Sequence, residues 1–258
     1  MTPDRIPVSA VPSLECRNCG AGAPVDEHFC PHCSRILALG RHGDYFSFLG
    51  VPRTLTLDQA DLERRFRDLS RKFHPDYYYN ASPSERLASL ERSSYLNDAY
   101  RALRNTISRI EHLLAIEGLP PARSENGSAK VPPALLEEVF TLNEELDEIR
   151  EAREAAADPA DLRARLESAR KPIDAKREEH EREVDVLCAR WDRQIDSDAA
   201  GRRATLEALR ERLLERNYIT NLLATIEHEA ASLGFGLSAT GSGPDIKSQE
   251  PRAKRREP

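Results

Sequence analysis

Four cysteines restrict the local fold of this chain more tightly than any other feature. In "CRNCGAGAPVDEHFCPHC", Cys16, Cys19, Cys30 and Cys33 form two Cys-x-x-Cys pairs separated by ten residues, with turn formers such as Gly20 and Pro31 beside them. Two residues between thiolates let a tight turn aim both sulfurs the same way, and two such turns face to face supply a tetrahedron of soft ligands, the geometry zinc accepts. Two local disulfides or unused thiols are the alternative, and a rubredoxin-like iron substitution fits the same ligand set. His28 and His32 lie nearby, but four thiolates fill the shell, so both histidines are expected at the surface. A segment this short cannot bury enough apolar area to stand alone, so bound metal supplies most of its folding free energy, and a closed ligand shell makes that metal structural.

Beyond this segment the chain reads as helix. Charged residues make up 32% of the 258 residues and aromatics only 6%, which describes amphipathic helices with wide solvated faces. The net charge of -6 is spread in both signs along the chain, so nucleic acid is not expected as a partner; only the terminal "RAKRREP" is a basic cluster. No run of eighteen apolar residues occurs, so no membrane partner is expected either. The first fifteen residues fit neither a secretory h-region nor a good amphipathic transit peptide, so the bacterial cytoplasm is the expected compartment, with the mitochondrial matrix as the alternative.

Texture divides the chain into a flexible start at 1–15, the cysteine segment at 16–39, a compact helical pattern at 44–116, a linker at 118–133, longer helices at 134–233 and a disordered tail at 234–258. The linker holds four prolines and two glycines and cannot continue a helix, though it should pack against the protein. In the compact region Leu62, Phe66, Leu69 and Phe73 line one helix face, Asp58 is the expected N-cap, and Arg64, Arg67, Arg71 and Lys72 make the solvent side positive. His74-Pro75-Asp76 then ends that helix, since proline disfavours helical geometry at the residue before it. "SPSE" restarts a helix with Ser82 as N-cap, Pro83 at the first helical position and Glu85 closing a capping box. The pattern predicts an antiparallel hairpin with His-Pro-Asp at its tip. An enzymatic role for His74 and Asp76 is weaker, because no nucleophile or oxyanion donor accompanies them.

The later region predicts three antiparallel helices packed as a bundle. The first carries an inward stripe at 135, 139, 142, 146 and 149; the second starts at Asp158-Pro159, with Pro172 expected to kink it or end its first portion; the third begins near Asp198. Cys188 reads as a small buried core residue.

"DYFSFLGV", the basic helix, "FHPD" and "YLNDAYRALRN" resemble a J-domain, the module by which co-chaperones stimulate DnaK-class ATPases. Over roughly 16–230 the chain more specifically resembles the HscB family of iron-sulfur cluster co-chaperones, on "NDAYRALRNTISRIEHLL" and "LNEELDEI"; some members carry a four-cysteine segment in front of the J-domain. The resemblance implies an all-α fold, with a J-domain hairpin and a C-terminal three-helix bundle preceded by a small zinc-binding segment. It implies no enzyme activity of the chain's own. His74, Pro75, Asp76, Arg64, Arg67, Arg71 and Lys72 would contact a DnaK- or HscA-class ATPase chaperone, with Asp76 meeting an arginine of that partner. An IscU-type iron-sulfur scaffold would meet Leu136, Glu137, Phe140, Thr141, Glu144 and Tyr218, and self-association would be weak at most. Glu137 stands where an apolar residue is common in the family and Thr141 where an acidic one is. A general J-domain protein delivering unfolded clients and a zinc-knuckle nucleic-acid adaptor are the alternative functions.

Overall fold

A computed structural model describes residues 13–25, 27–40, 43–120, 135–195 and 199–234. Most of the expected flexible start, most of the linker, Asp198 and nearly all of the tail with its basic cluster lie outside these residues. The elements in chain order are β1 (Ser13–Glu15), β2 (Gly22–Pro24), α1 (Tyr45–Leu49), α2 (Gln59–Phe73), a 3-10 turn (Pro75–Tyr78), α3 (Pro83–Arg104), α4 (Thr106–Ile116), α5 (Leu136–Glu154), α6 (Pro159–Arg193) and α7 (Ala199–Ser232). Among the described residues the fold is all-α apart from the antiparallel pair β1–β2, in which Leu14 faces Ala23, and an isolated bridge between Phe29 and Ile36.

The helix ends follow their local chemistry. Asp44 caps α1 through its side chain, and Gly50 closes that helix at φ 66°, a left-handed backbone that glycine adopts without a Cβ clash. Asp58 accepts from Ala60 N and Asp61 N to start α2. Ser82 and Glu85 form a reciprocal capping box at α3. At the far end of α3, Asn105 accepts from Ser108 N, which breaks the run into two helices and starts α4.

By internal contacts the chain divides into two compact units. One comprises residues 1–132 and 177–217, the other 133–176 and 218–258. This division differs from the sequence-based boundaries, which gave the whole of 134–233 to one bundle. The C-terminal part of α6 and the N-terminal part of α7 instead complete the core around α1–α4. Val184, Cys188, Trp191, Leu206, Leu209 and Leu213 are buried in one cluster with Phe46, Phe48, Leu62, Phe73, Leu96, Leu103 and Ile110, each large side chain contributing about 1.5–3 kcal/mol by leaving water. Polar ties fix the register. Trp191 Nε1 donates to Arg53 O at 2.9 Å, and the Asp192 carboxylate accepts from Leu55 N at 2.6 Å and Thr56 N at 2.9 Å. Asp192→Ala is therefore expected to cost about 2 kcal/mol in urea unfolding, because two backbone donors lose a charged acceptor.

In the second unit α5 turns Leu135, Leu142, Leu146 and Ile149 inward, as the stripe predicts, with Val139 half-buried. Arg150 and Arg153 both pair with the buried Glu229 of α7, at 3.1 and 3.2 Å. Pro172 does not end α6, which runs unbroken from Pro159 to Arg193. Buried Leu162, Leu166 and Ile173 anchor the helix on both sides of it, and such tertiary packing offsets the lost backbone hydrogen bond. Among the described residues no helix is long and apolar enough to cross a membrane.

Candidate functional site

The cysteine segment folds as two matching knuckles. In the first, Cys16 O accepts from Gly20 N at 2.8 Å and Cys16 N donates to Ala21 O at 2.9 Å; in the second, Cys30 O accepts from Ser34 N at 2.8 Å and Cys30 N donates to Arg35 O at 2.8 Å. The residue after each second cysteine is left-handed, Gly20 at φ 71° and Ser34 at φ 56°. Serine accepts there a backbone that costs about 1 kcal/mol outside glycine, and the repeat of the turn is what aims the second pair of sulfurs.

The four sulfurs lie within 4.8 Å of one another, with Cys16 to Cys33 at 3.6 Å and Cys19 to Cys30 at 3.7 Å, and none is bridged by a disulfide. Tetrahedral coordination with metal–sulfur bonds of about 2.3 Å requires sulfur–sulfur separations of about 3.8 Å. The ligand set therefore fits a metal ion, with all four positions supplied by the protein. The thiols are not equivalent. The Arg35 backbone N–H, then the Asn18 side chain, draw Cys33 down to about 6. At Cys19 the Ala21 N–H pulls the same way, but desolvation and the three neighbouring thiols push it up to about 12. Thiols this close resist ionising together, and a divalent cation is what allows four thiolates to share the space.

His28 is not the surface residue the sequence suggests. Its Nε2 lies 3.1 Å from Phe48 O and its Nδ1 lies 2.8 Å from Arg92 Nη1. Since a guanidinium only donates, Nδ1 must accept and Nε2 carries the proton. The ring packs edge-on against Phe48 and Phe73, at 4.8 and 5.0 Å between centroids. His32 is exposed, as expected.

Arg92, fully buried on α3, joins the segment to the helices. Nε donates to Leu37 O at 2.7 Å, and Nη2 donates to Ala38 O at 3.1 Å and Glu27 O at 3.3 Å. Among the described residues no carboxylate pairs with it. Burial pushes its pKa down to about 10, so it remains a cation at neutral pH, stabilised by carbonyl dipoles and by the faces of Phe48 and Phe73. The sequence did carry a signal: Arg92 sits four residues after Ala88 and four before Leu96, on the apolar stripe of α3. Arg109 in α4 is a second buried cation, donating to Leu55 O at 3.0 Å and to Leu103 O.

The tripeptide lies at the exposed corner between α2 and α3. His74 and Asp76 side chains are 51% and 86% exposed, and Pro75 is exposed between them. His74 Nδ1 accepts from Asp76 N at 3.3 Å, which curls the corner into its 3-10 turn. Behind it, Phe73 O accepts from Ser89 Oγ at 2.6 Å and Ser93 Oγ at 2.9 Å. Arg64, Arg67, Arg71 and Lys72 are exposed along α2, but three of them carry an acidic neighbour on the same helix: Arg64 pairs with Asp61, Arg67 with Glu63 at 2.5 Å and Arg71 with Asp68 at 2.6 Å. The face is thus a row of ion pairs with a cationic excess. Arg65 is turned toward the protein, where it donates to Gly50 O at 2.7 Å.

In the second unit Leu136, Glu137, Phe140, Thr141 and Glu144 are exposed on α5, Phe140 at 68%. At about 100° per residue they span roughly 140° of the helix, on the side away from Leu142, Leu146 and Ile149. Glu137 and Thr141 also border a groove of about 440 Å³, closed on the other side by Ser168, Ala169, Pro172 and Ile173 of α6. Tyr218, on α7 in the same unit, is half-buried.

No family model matches the chain. The human co-chaperone protein HscB matches it in structure with a TM-score of 0.59 and 26% identity, over 84% of this chain and 98% of that one. The chaperone HscB from Vibrio cholerae aligns with a TM-score of 0.47 and 25% identity, over 74% of this chain and 99% of that one. With an exposed His-Pro-Asp corner, an all-α fold and a four-cysteine metal site in front of it, this chain is similar to the HscB co-chaperones.

Proposed function

We propose that this chain is a non-enzymatic co-chaperone of iron-sulfur cluster biogenesis. Its corner docks on the ATPase domain of a DnaK- or HscA-class chaperone and stimulates hydrolysis, while the exposed edge of α5, with Tyr218, holds an IscU-type scaffold for cluster transfer. Zinc fills the four-cysteine site and holds that segment folded. The observation that carries the reading is the exposed tripeptide at the tip of the α2–α3 hairpin, beside a cationic helix, in a chain with the fold of human HscB. A stiff exposed carboxylate at Asp76 suits an arginine of a partner.

The test is steady-state ATP hydrolysis by the cognate chaperone, with this chain, with scaffold and with both. Synergy is expected when both are present. Stimulation by this chain with any unfolded protein but not with scaffold would favour general client delivery instead. Because intrahelical partners already hold Arg64, Arg67 and Arg71, added salt should slow association only moderately. For the second unit, Phe140→Ala is expected to weaken scaffold binding about tenfold by calorimetry. The thermal midpoint should not change, since the ring is mostly in water and its loss leaves no cavity.

A further inference from the structure

The cysteine segment touches the polypeptide on both sides of the tripeptide. Phe73, the last residue of α2, is fully buried, and its ring centroid lies 5.0 Å from that of His28 and 6.0 Å from that of Phe29. The Arg92 guanidinium, itself held by three carbonyls of the segment, covers the same ring at 5.8 Å. After the corner, Arg35 Nη1 reaches Glu85 Oε1 at 3.1 Å, and Glu85 is the carboxylate that closes the capping box of α3. These contacts come from ligand neighbours. Phe29 adjoins Cys30, His28 lies two residues before it and Arg35 lies two after Cys33.

We propose that the four-cysteine segment is a brace that positions the His74-Pro75-Asp76 corner, with His28, Phe29, Arg35 and Arg92 as its positioning residues and metal occupancy as the condition for its hold. The physical reason lies in the segment's own core, which consists of Cys16, Ala23, Cys30 and Leu37 with Cys33 packed against them. Three of those five are ligands, so little besides the metal organises the two knuckles. When the knuckles loosen, Phe73 loses the rings that cover it, the Arg92 cation loses its carbonyls and Glu85 loses its partner. Each loss falls on a residue that sets where the corner sits. None of these residues needs to touch another protein. The structural half stands on contacts within this chain; its consequence for ATPase stimulation rests on the function proposed above.

The experiment is hydrogen exchange by mass spectrometry on the full chain, loaded with Zn²⁺ or stripped by chelator, with zinc content measured in each. Exchange across 70–90 should rise at least tenfold on stripping, while 136–154 in the other unit keeps its rates. Unchanged protection of 70–90 in the stripped protein would overturn the brace. Equal loss throughout 45–116 would overturn it as well, because the metal would then stabilise the whole unit and not the corner. Phe29→Ala supplies the second arm, since it keeps all four thiols. It should retain one zinc per chain and still speed exchange across 70–80, and full zinc with unchanged exchange defeats the proposal. If exchange behaves as expected but neither form ever stimulates the chaperone, the co-chaperone reading fails and the brace stands.

Discussion

His74→Gln is expected to lower stimulation of the partner chaperone's ATPase at least thirtyfold while leaving the protein folded. The side chain is half in water, and its hydrogen bond is local: Nδ1 accepts from Asp76 N, capping the 3-10 turn. Losing such a cap typically costs the fold about 1 kcal/mol. A residue at the centre of a docked interface carries about 2 kcal/mol or more, which is roughly thirtyfold in affinity. The two readouts therefore separate, with near-native circular dichroism and thermal midpoint and a lost ATPase response. Equal stimulation by variant and native chain would remove the assignment of the corner as the chaperone contact.

The second large effect concerns stability. Arg92→Met keeps much of the apolar stem but removes every donor, leaving Leu37 O, Ala38 O, Glu27 O and His28 Nδ1 without the partner each now has. Buried acceptors without donors cost about 1–3 kcal/mol each. Some will be reached by water once the segment moves, so a loss on the order of 4 kcal/mol in chemical denaturation is expected. Arg92→Lys should recover only part of it, because one ammonium cannot span four acceptors held in a fork. A variant as stable as the native chain would mean that this buried cation contributes nothing net, as some buried charges do.

The reach of sequence reasoning differs from element to element. The capping box at Ser82 and Glu85, the N-cap at Asp58 and the stripe of α5 are local, each decided by residues within about one turn, so they were legible as patterns. The cysteine spacing was legible for the same reason. His28 was misread as a surface residue and Arg92 was not singled out, because the two meet across 64 positions of sequence. Taken alone, a histidine in a turn and an arginine in a helix both look solvated, and only the gap that Arg92 leaves in the stripe of α3 hinted otherwise.

The cationic face of α2 shows a second kind of gap. The basic residues could be placed from periodicity, but that Asp61, Glu63 and Asp68 engage Arg64, Arg67 and Arg71 depends on rotamers no pattern supplies. The units show a third. Apolar spacing in α6 and α7 marks inward faces without stating which core receives them, and Trp191 and Leu209 fill the core around Phe46 instead of a separate bundle.

By itself, then, the sequence determined the amphipathic faces of α2, α3 and α5, the caps at Asp58 and Ser82, the four-cysteine spacing and the break at His74-Pro75-Asp76, because each follows from backbone chemistry over a few neighbouring residues. The tertiary structure alone decided that Phe73 is roofed by the cysteine segment, that Arg92 is buried among carbonyls and that the C-terminal part of α6 and the N-terminal part of α7 belong to the first unit. Those outcomes depend on which distant surfaces exclude water together, and desolvation is a property of the folded arrangement that no window of sequence contains.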